Sequence, residues 1–473
     1  IAYVKLGEAK NADFVKMIKN YARVDVVSDK KLGRLIRKLK KYDLVIIGYH
    51  QSNEHPWKGY KFKNKDLVKL QEIARENKVI LNILTSPYSL LQIKSFTNIE
   101  GVLVSYENSK LAQEISAQAI FGAIDVSGKL PVSIRNEFAE GYGLIKASLK
   151  RLQYTVPEEV GMSSLYLKKI DSVAEIVLKE KMAPGAQILV ARNGKVIYQK
   201  NFGYHTHKKK RSVKTSDVYD VASLTKILAT LPLVMRAEEE EKIPLNASLG
   251  DILPRYKKSN KDTVLVKEIL SHVARLKSWI PFYKETQDSI THKNLRSFYS
   301  KKWSKKYRIR VAKNLYLNKS YKDSIFNHIK DADQRKRTGY KYSDLGYYLF
   351  KESLEKKYKK PLNELSDEFL YKPLGANRTS YLPLLKFAKK AIIPTEKDEY
   401  YRNQLVHGYV HDMGAAMQGG VGGHAGLFAN ANDIAKIMQM YLQEGYYGGK
   451  QYLQPETIDK FNTRYYGNKK VRR

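Results

Sequence analysis

Cysteine does not occur among the 473 residues, which removes disulfides, thiolate metal sites and a cysteine nucleophile together. Nor does any apolar run reach the roughly 18 residues that a membrane-crossing helix needs, so no membrane span is expected. Acidic residues are the third shortage: 48 Asp and Glu stand against 85 Lys and Arg, a formal net charge of +37. The cations are spread over every segment rather than gathered into an arm or stripe. They read as a solvated lysine-rich surface that would attract acidic polymers, and no nucleic-acid partner is expected. The chain opens on Ile1 with no signal-peptide pattern, so it reads as a piece of something longer.

What is present is ordinary for packed globular protein, at 43% hydrophobic and 28% charged residues. A chain of this length exceeds one core, and two or three domains are expected. From Ile1 to about Ile145, short apolar runs (Asp43 to His50, Val79 to Leu90, Val102 to Asn108) alternate with amphipathic stretches such as Lys65 to Asn77. That alternation predicts a parallel sheet flanked by helices. His50 and His55 follow a strand and are expected to be solvated loop histidines. Residues 146–161 read as a linker. Beyond it come a helix over Leu165 to Lys181 and a hairpin turning on Asn193-Gly194.

The hairpin leads to DVYDVASLTK, where Ser223 and Lys226 stand three apart at the start of an apolar helix. At helical pitch that spacing puts hydroxyl and amine on one face, close enough to exchange a proton. A serine hydroxyl is a poor nucleophile until a base serves it, and a lysine does so only when kept unprotonated. By itself S-x-x-K is a weak signal, since it recurs at Ser28/Lys31 and Ser353/Lys356. A helix-capping serine followed by a surface lysine is the plain alternative.

Context strengthens the functional reading. A P-G-A hairpin, then Y-x-x-A-S-x-T-K, then a long apolar helix resembles the serine beta-lactamase and penicillin-binding-protein superfamily, on its class C and esterase side. KEILSHVARLKSWIPFY resembles that family's H-T-S-G-L segment, with Arg275 where glycine is usual. Tyr342-Ser343-Asp344 resembles its Y-x-N motif, with Asp344 replacing asparagine. The resemblance implies an acyl-enzyme on Ser223, Lys226 as base and Tyr342 as proton relay. Asp344 would bind substrate or hold Lys226, which would favour the charged amine.

Lys284 to Arg337 is a basic, aromatic-rich insertion that reads as a solvated helical one, with lining of the cleft as the alternative. The Gly-rich loop before Asp433 to Leu442 predicts a helix capped by Asn432 or Asp433. His411 and Asp412 are expected to organise the cleft wall. His424-Ala425-Gly426 is not taken as the family's third motif, which follows that helix on a strand. His407, His411 and His424 lack the spacing of a metal set, so neither metal nor cofactor is expected.

The first segment carries its own resemblance. SYENSKLAQEISAQAIFGAIDVSGKLPVS looks like the end of the C-terminal α/β domain of family 3 glycoside hydrolases of beta-N-acetylglucosaminidase type. The family's catalytic barrel is absent from the chain, and no carboxylate pair at glycosidase spacing is found.

The expected architecture is therefore α/β. Residues 1–145 form a parallel-sheet sandwich and residues 162–473 an α+β beta-lactamase-like domain, an antiparallel sheet plus helical lobe, whose closing strands are missing. That loss would remove an oxyanion-hole donor and impair activity about a hundred- to thousandfold. The resemblances imply a bacterial cell-envelope or periplasmic hydrolase acting on cell-wall glycan or muropeptide-like substrates. Open alternatives are a noncatalytic glycan-binding scaffold and a parent in which only the barrel acts. The oligomeric state is not legible.

Overall fold

A computed structural model describes residues 1–52 and 59–467; His55 and the last six residues lie outside the described residues. The chain divides into two compact units, residues 1–155 with 192–196, and residues 156–191 with 197–473.

In the first unit five parallel strands form one sheet in the order β2-β1-β3-β4-β5. They are β1 (Ala2–Gly7), β2 (Asp25–Val26), β3 (Val45–His50), β4 (Val79–Leu84) and β5 (Ile99–Val104). Helices α1 (Ala12–Tyr21) and α4 (Lys110–Ile120) cover one face, where Phe14, Ile18 and Tyr21 pack with Ala117 and Ile46. On the other face α2 (Leu32–Leu39) and α3 (Asn64–Glu76) bring Leu35, Leu39, Leu70 and Ile73 against Ile47, Leu81 and Ile83. Covered on both sides, the central strand VIIGYH is buried at every position, which is why it reads as a continuous apolar run.

His50 corrects the sequence expectation. It is the last residue of β3, fully buried, with Nε2 2.7 Å from the Tyr3 hydroxyl and Nδ1 2.7 Å from Asn108 Oδ1. Burial lowers its pKa from 6.5 to about 4. Its partners lie 47 and 58 residues away, so the strand end gave no local sign of them.

The second unit begins with the expected helix, broken at Lys168 into Ser164–Leu167 and Lys169–Lys179. The hairpin strands Gly185–Arg192 and Lys195–Gly203 turn through Asn193 and Gly194 at φ +51° and +74°. Two successive positive φ values match a type I′ turn, which the Asn-Gly pair adopts with little strain.

A small antiparallel sheet joins Ser380–Tyr381, Leu427–Ala429 and Tyr219–Asp220. Beside it lies a helical lobe. Helix Leu345–Tyr358 is buried at every residue from Leu345 to Leu354, the signature of a core helix rather than an amphipathic one. Each large side chain there, such as Leu349 or Phe350, contributes about 1.5–3 kcal/mol by burial, which fixes the motif immediately before the helix.

Two further expectations are corrected. The insertion is not mainly helical: Tyr299–Ser300, Tyr307–Ala312 and Leu315–Asn318 form a three-stranded antiparallel sheet, with a 3-10 turn, Phe282–Thr286, at its start and an α-helix at Tyr321–Asp331. Alternation in YRIRVA, with Arg308 and Arg310 exposed between half-buried Tyr307 and Ile309, is a strand period. Helix Ala431–Leu442 is capped by Asn430, whose side chain accepts from Asp433 N at 2.9 Å. Asp433 is occupied elsewhere, accepting from Arg378 N and pairing with Lys436 at 3.0 Å.

Candidate active site

Ser223 lies on a 3-10 turn, Ala222–Leu224, that follows strand Tyr219–Asp220 directly. Ala222 holds φ +45°, a conformation costing an L-residue about 1 kcal/mol or more. Asp220 helps to hold it: one carboxylate oxygen accepts from Ala222 N at 2.9 Å, the other from His411 N at 2.6 Å. Burial raises the Asp220 pKa, and those two N–H groups counteract the rise.

After the turn the backbone runs through a π-helical segment, Lys226–Thr230, before Leu231–Glu239 continues as α-helix. This refines the expected plain helix start. The widened turn leaves carbonyls to be met from outside, and buried tyrosines meet them: Tyr441 donates to Ile227 O at 2.8 Å and Tyr371 to Leu228 O at 3.0 Å. Thr225 and Thr230 tie the segment to the Gly-rich loop, accepting from Leu427 N at 3.1 Å and donating to Gly423 O at 2.7 Å. Gly423 is required there, since a Cβ would stand 2.0 Å from Tyr347 O.

The structure brings together all four residues singled out in the sequence. Lys226 Nζ donates to Ser223 Oγ at 3.0 Å, and the Tyr342 hydroxyl donates to the same Oγ at 3.1 Å. Asp344 Oδ1 lies 2.7 Å from Lys226 Nζ. Ser223 is exposed while Lys226 is only 3% exposed, so the hydroxyl meets solvent with the amine beneath it. The Tyr342 and Tyr347 rings lie 5.1 and 5.5 Å from the amine. A cleft of about 450 Å³ opens here, lined by Ser223, Leu224, Lys226, His272, Tyr342 and Tyr347 among others.

Tyr342 is placed by two contacts. Its ring lies 4.8 Å from that of His272, and Ser343 locks the following helix start by donating to Lys277 O at 2.6 Å and accepting from Leu345 N at 3.2 Å. Arg275, standing where the resemblance expects glycine, takes φ +59°. It keeps the turn by donating from Nε to Arg335 O at 2.7 Å, while Arg335 N donates back to Arg275 O at 2.8 Å.

Sequence reasoning missed what lies behind Lys226. The His424 carbonyl accepts from Nζ at 3.1 Å, so His424 belongs to the site through its backbone. Its ring is stacked on Tyr348 at 4.1 Å, and Nε2 meets Asp412 Oδ1 at 2.8 Å. Burial pushes the Asp412 carboxyl up, but the His424 imidazole and the Ala415 N–H outweigh it and hold its pKa well below the usual range. Asp412 also caps Met413–Met417. His407 instead meets the Ile392 carbonyl at 2.9 Å and lies outside this cluster. Among the described residues no group of three or more His, Asp or Glu is arranged to hold a metal ion.

Comparison with known proteins gives a family match, Beta-lactamase, over residues 173–471. The chain is 29% identical over 329 residues to the N-acetylmuramyl-L-alanine amidase of Bacillus subtilis strain 168, covering 64% of this chain and 69% of that protein. It is 28% identical over 335 residues to a putative D-alanyl-D-alanine carboxypeptidase of Salmonella agona, covering 65% and 71%. Among solved structures, the octameric penicillin-binding protein homologue of Pyrococcus abyssi matches at 20% identity and a TM-score of 0.47. That match covers 63% of this chain and 60% of that one.

Proposed function

The chain belongs to the beta-lactamase family, and from that premise we propose that its second unit is a serine acyl hydrolase of cell-wall type that forms an acyl-enzyme on Ser223. One observation carries the reading: a solvent-facing hydroxyl bracketed by an amine at 3.0 Å and a phenol at 3.1 Å. Ser223 Oγ attacks the acyl carbon as its proton passes to Lys226 Nζ. Tyr342 relays a proton to the departing nitrogen or oxygen, and water then frees the acyl group by the reverse path. Amidase and carboxypeptidase relatives support a muropeptide-like amide or a small ester as substrate, and a bacterial envelope location. Treating the full-length parent with a fluorophosphonate or a fluorescent penicillin and digesting it for mass spectrometry is expected to put the label on Ser223. No label there would overturn the assignment.

For the first unit the reading is a family 3 glycoside hydrolase C-terminal domain, within a parent that pairs a beta-N-acetylglucosaminidase-type module with the acyl hydrolase. The GKLPVS-bearing segment and the five-stranded parallel sheet support it. The family match begins at residue 173, so this half stands on those two features. Turnover of a chitobiose-type substrate by the parent, unchanged by Ser223→Ala, is the expected result, and absence of turnover would refute it.

Asp344 favours a second reading, a noncatalytic scaffold that holds glycan, because a carboxylate 2.7 Å from Lys226 Nζ stands where the resembling family carries asparagine. A scaffold would sediment with glycan, hydrolyse no ester and respond to Ser223→Ala in neither assay.

A further inference from the structure

The second unit contains a cavity of about 540 Å³ that shares no lining residue with the Ser223 cleft. Its volume falls within the range of about 300–1,000 Å³ typical of small-molecule sites. One wall is the strand Tyr307–Ala312 of the insertion; another is the Leu382–Leu385 turn; Gln418, Gly419 and Gly420 close the back.

The apolar part of this lining is built against local preference. Leu382 holds φ +48° immediately before Pro383, and the short 3-10 turn that follows leaves Leu385 85% exposed. A leucine in the left-handed region costs about 1–3 kcal/mol, and such outliers are kept where a site needs them. The turn presents Leu382, Leu384 and Leu385 to the same space as Ile309. At the back, a Cβ added to Gly419 would find no atom nearer than Ile309 Cγ2 at 3.9 Å, so the cavity runs up to the backbone itself.

The polar part carries one sign of charge. Arg308, Arg310, Lys319 and Lys322 line the cavity, and no aspartate or glutamate does among the described residues. The Arg310 guanidinium is held between the Tyr316 and Tyr409 rings at 5.8 and 5.2 Å, which orders it without neutralising it. Behind the wall, buried Lys351 donates from Nζ to Gln418 Oε1 at 3.0 Å, which fixes that glutamine at the back of the cavity. A pocket with leucines on one side and unneutralised cations on the other complements a molecule with one apolar part and one anionic part.

We propose that this cavity binds an anionic amphiphile, a linear hydrocarbon chain ending in a phosphate or carboxylate, with the head among Arg308, Arg310, Lys319 and Lys322 and the chain along the Leu382–Leu385 turn. The inference is independent of acylation at Ser223. Calorimetric titration of the whole chain tests it with three probes: monododecyl phosphate and dodecyl maltoside, each below its micelle concentration, and inorganic phosphate. Monododecyl phosphate is expected to bind one to one, more than about tenfold tighter than either of the others, because only it satisfies both halves of the site. R308Q/K319Q and L385D alter exposed side chains and leave the fold intact. The first is expected to bring monododecyl phosphate to the level of dodecyl maltoside, and the second to that of inorganic phosphate. Equal affinity for phosphate and its dodecyl ester would reduce the site to a bare anion contact and overturn the proposal. So would binding that neither variant weakens, or no binding at all.

Discussion

Replacing Tyr342 with phenylalanine removes one oxygen and little else. The hydroxyl donates to Ser223 Oγ at 3.1 Å, while the ring, beside His272 at 4.8 Å and the Lys226 amine at 5.1 Å, is kept in the variant. Tyr342 is 40% exposed, so losing one hydrogen bond there costs less than about 1 kcal/mol of stability. Its effect on rate is of another size. A positioned acid or base group contributes about 10² to 10⁴ in rate, equivalent to about 3–5 kcal/mol of barrier. Tyr342→Phe is therefore expected to slow acylation by about a hundredfold or more. Stopped-flow measurement with a p-nitrophenyl ester would follow the burst, with Ser223 labelling read by mass spectrometry and thermal melting run alongside. Tyr340→Phe, two residues away and equally exposed, is the control and is expected to retain the rate. If Tyr342→Phe acylates within about threefold of the parent, no proton passes through the phenol and the relay is refuted.

Asp344→Asn removes the carboxylate 2.7 Å from Lys226 Nζ and is expected to change the rate of Ser223 labelling at pH 7; an unchanged rate would show that the carboxylate takes no part. Asp412→Asn breaks the contact with His424 and is expected to cost about 1–3 kcal/mol in urea unfolding at pH 7. Because the folded pKa of Asp412 is depressed, the stability it contributes is present above its unfolded value of about 4 and lost as pH falls below it. The variant should show a flatter acid limb. In the first unit, His50 has its folded pKa lowered from 6.5 to about 4. Stability is then full above 6.5 and falls by about 3 kcal/mol as pH drops toward 4, a dependence that melting of a His50→Gln variant at pH 5 and 7.5 should not show. At Arg275, φ +59° favours glycine while the Arg335 contact favours arginine. Arg275→Gly is expected to be near neutral and Arg275→Ala to lose about 1–2 kcal/mol, and equal losses would refute the account.

Much of this architecture could be read from the chain because its signals are local. Strands β3 and β4 are continuous apolar runs, the Asn193-Gly194 pair names its own turn, and three-residue spacing put Ser223 and Lys226 within 3.0 Å even through a 3-10 and π-helical path. What escaped is contact over long sequence separation. His50 looked like a loop residue because Tyr3 and Asn108 only become its neighbours once β1 lies beside β3. The insertion shows little strand signal because lysines and tyrosines fill it, and the two-residue period that identifies a strand spans only Tyr307 to Ala312. His424 acts on Lys226 from 198 residues away through a carbonyl, which no residue type advertises. The one legible sign was glycine density before it, whose reason is the close approach of Gly423 to Tyr347.

The departure from asparagine at Asp344 gains its meaning from that carbonyl. Lys226 Nζ faces three oxygens: it donates to Ser223 Oγ at 3.0 Å and to His424 O at 3.1 Å, and Asp344 Oδ1 stands 2.7 Å away as an ion-pair contact outside hydrogen-bond geometry. Two of these are neutral, and each neutral contact is worth about 1 kcal/mol net. The third is charged, and the burial of Lys226 leaves that attraction little screened by solvent. An asparagine oxygen at the same place would lack that attraction. The side chain at position 344 therefore decides whether Lys226 faces a charged or a neutral oxygen beside Ser223.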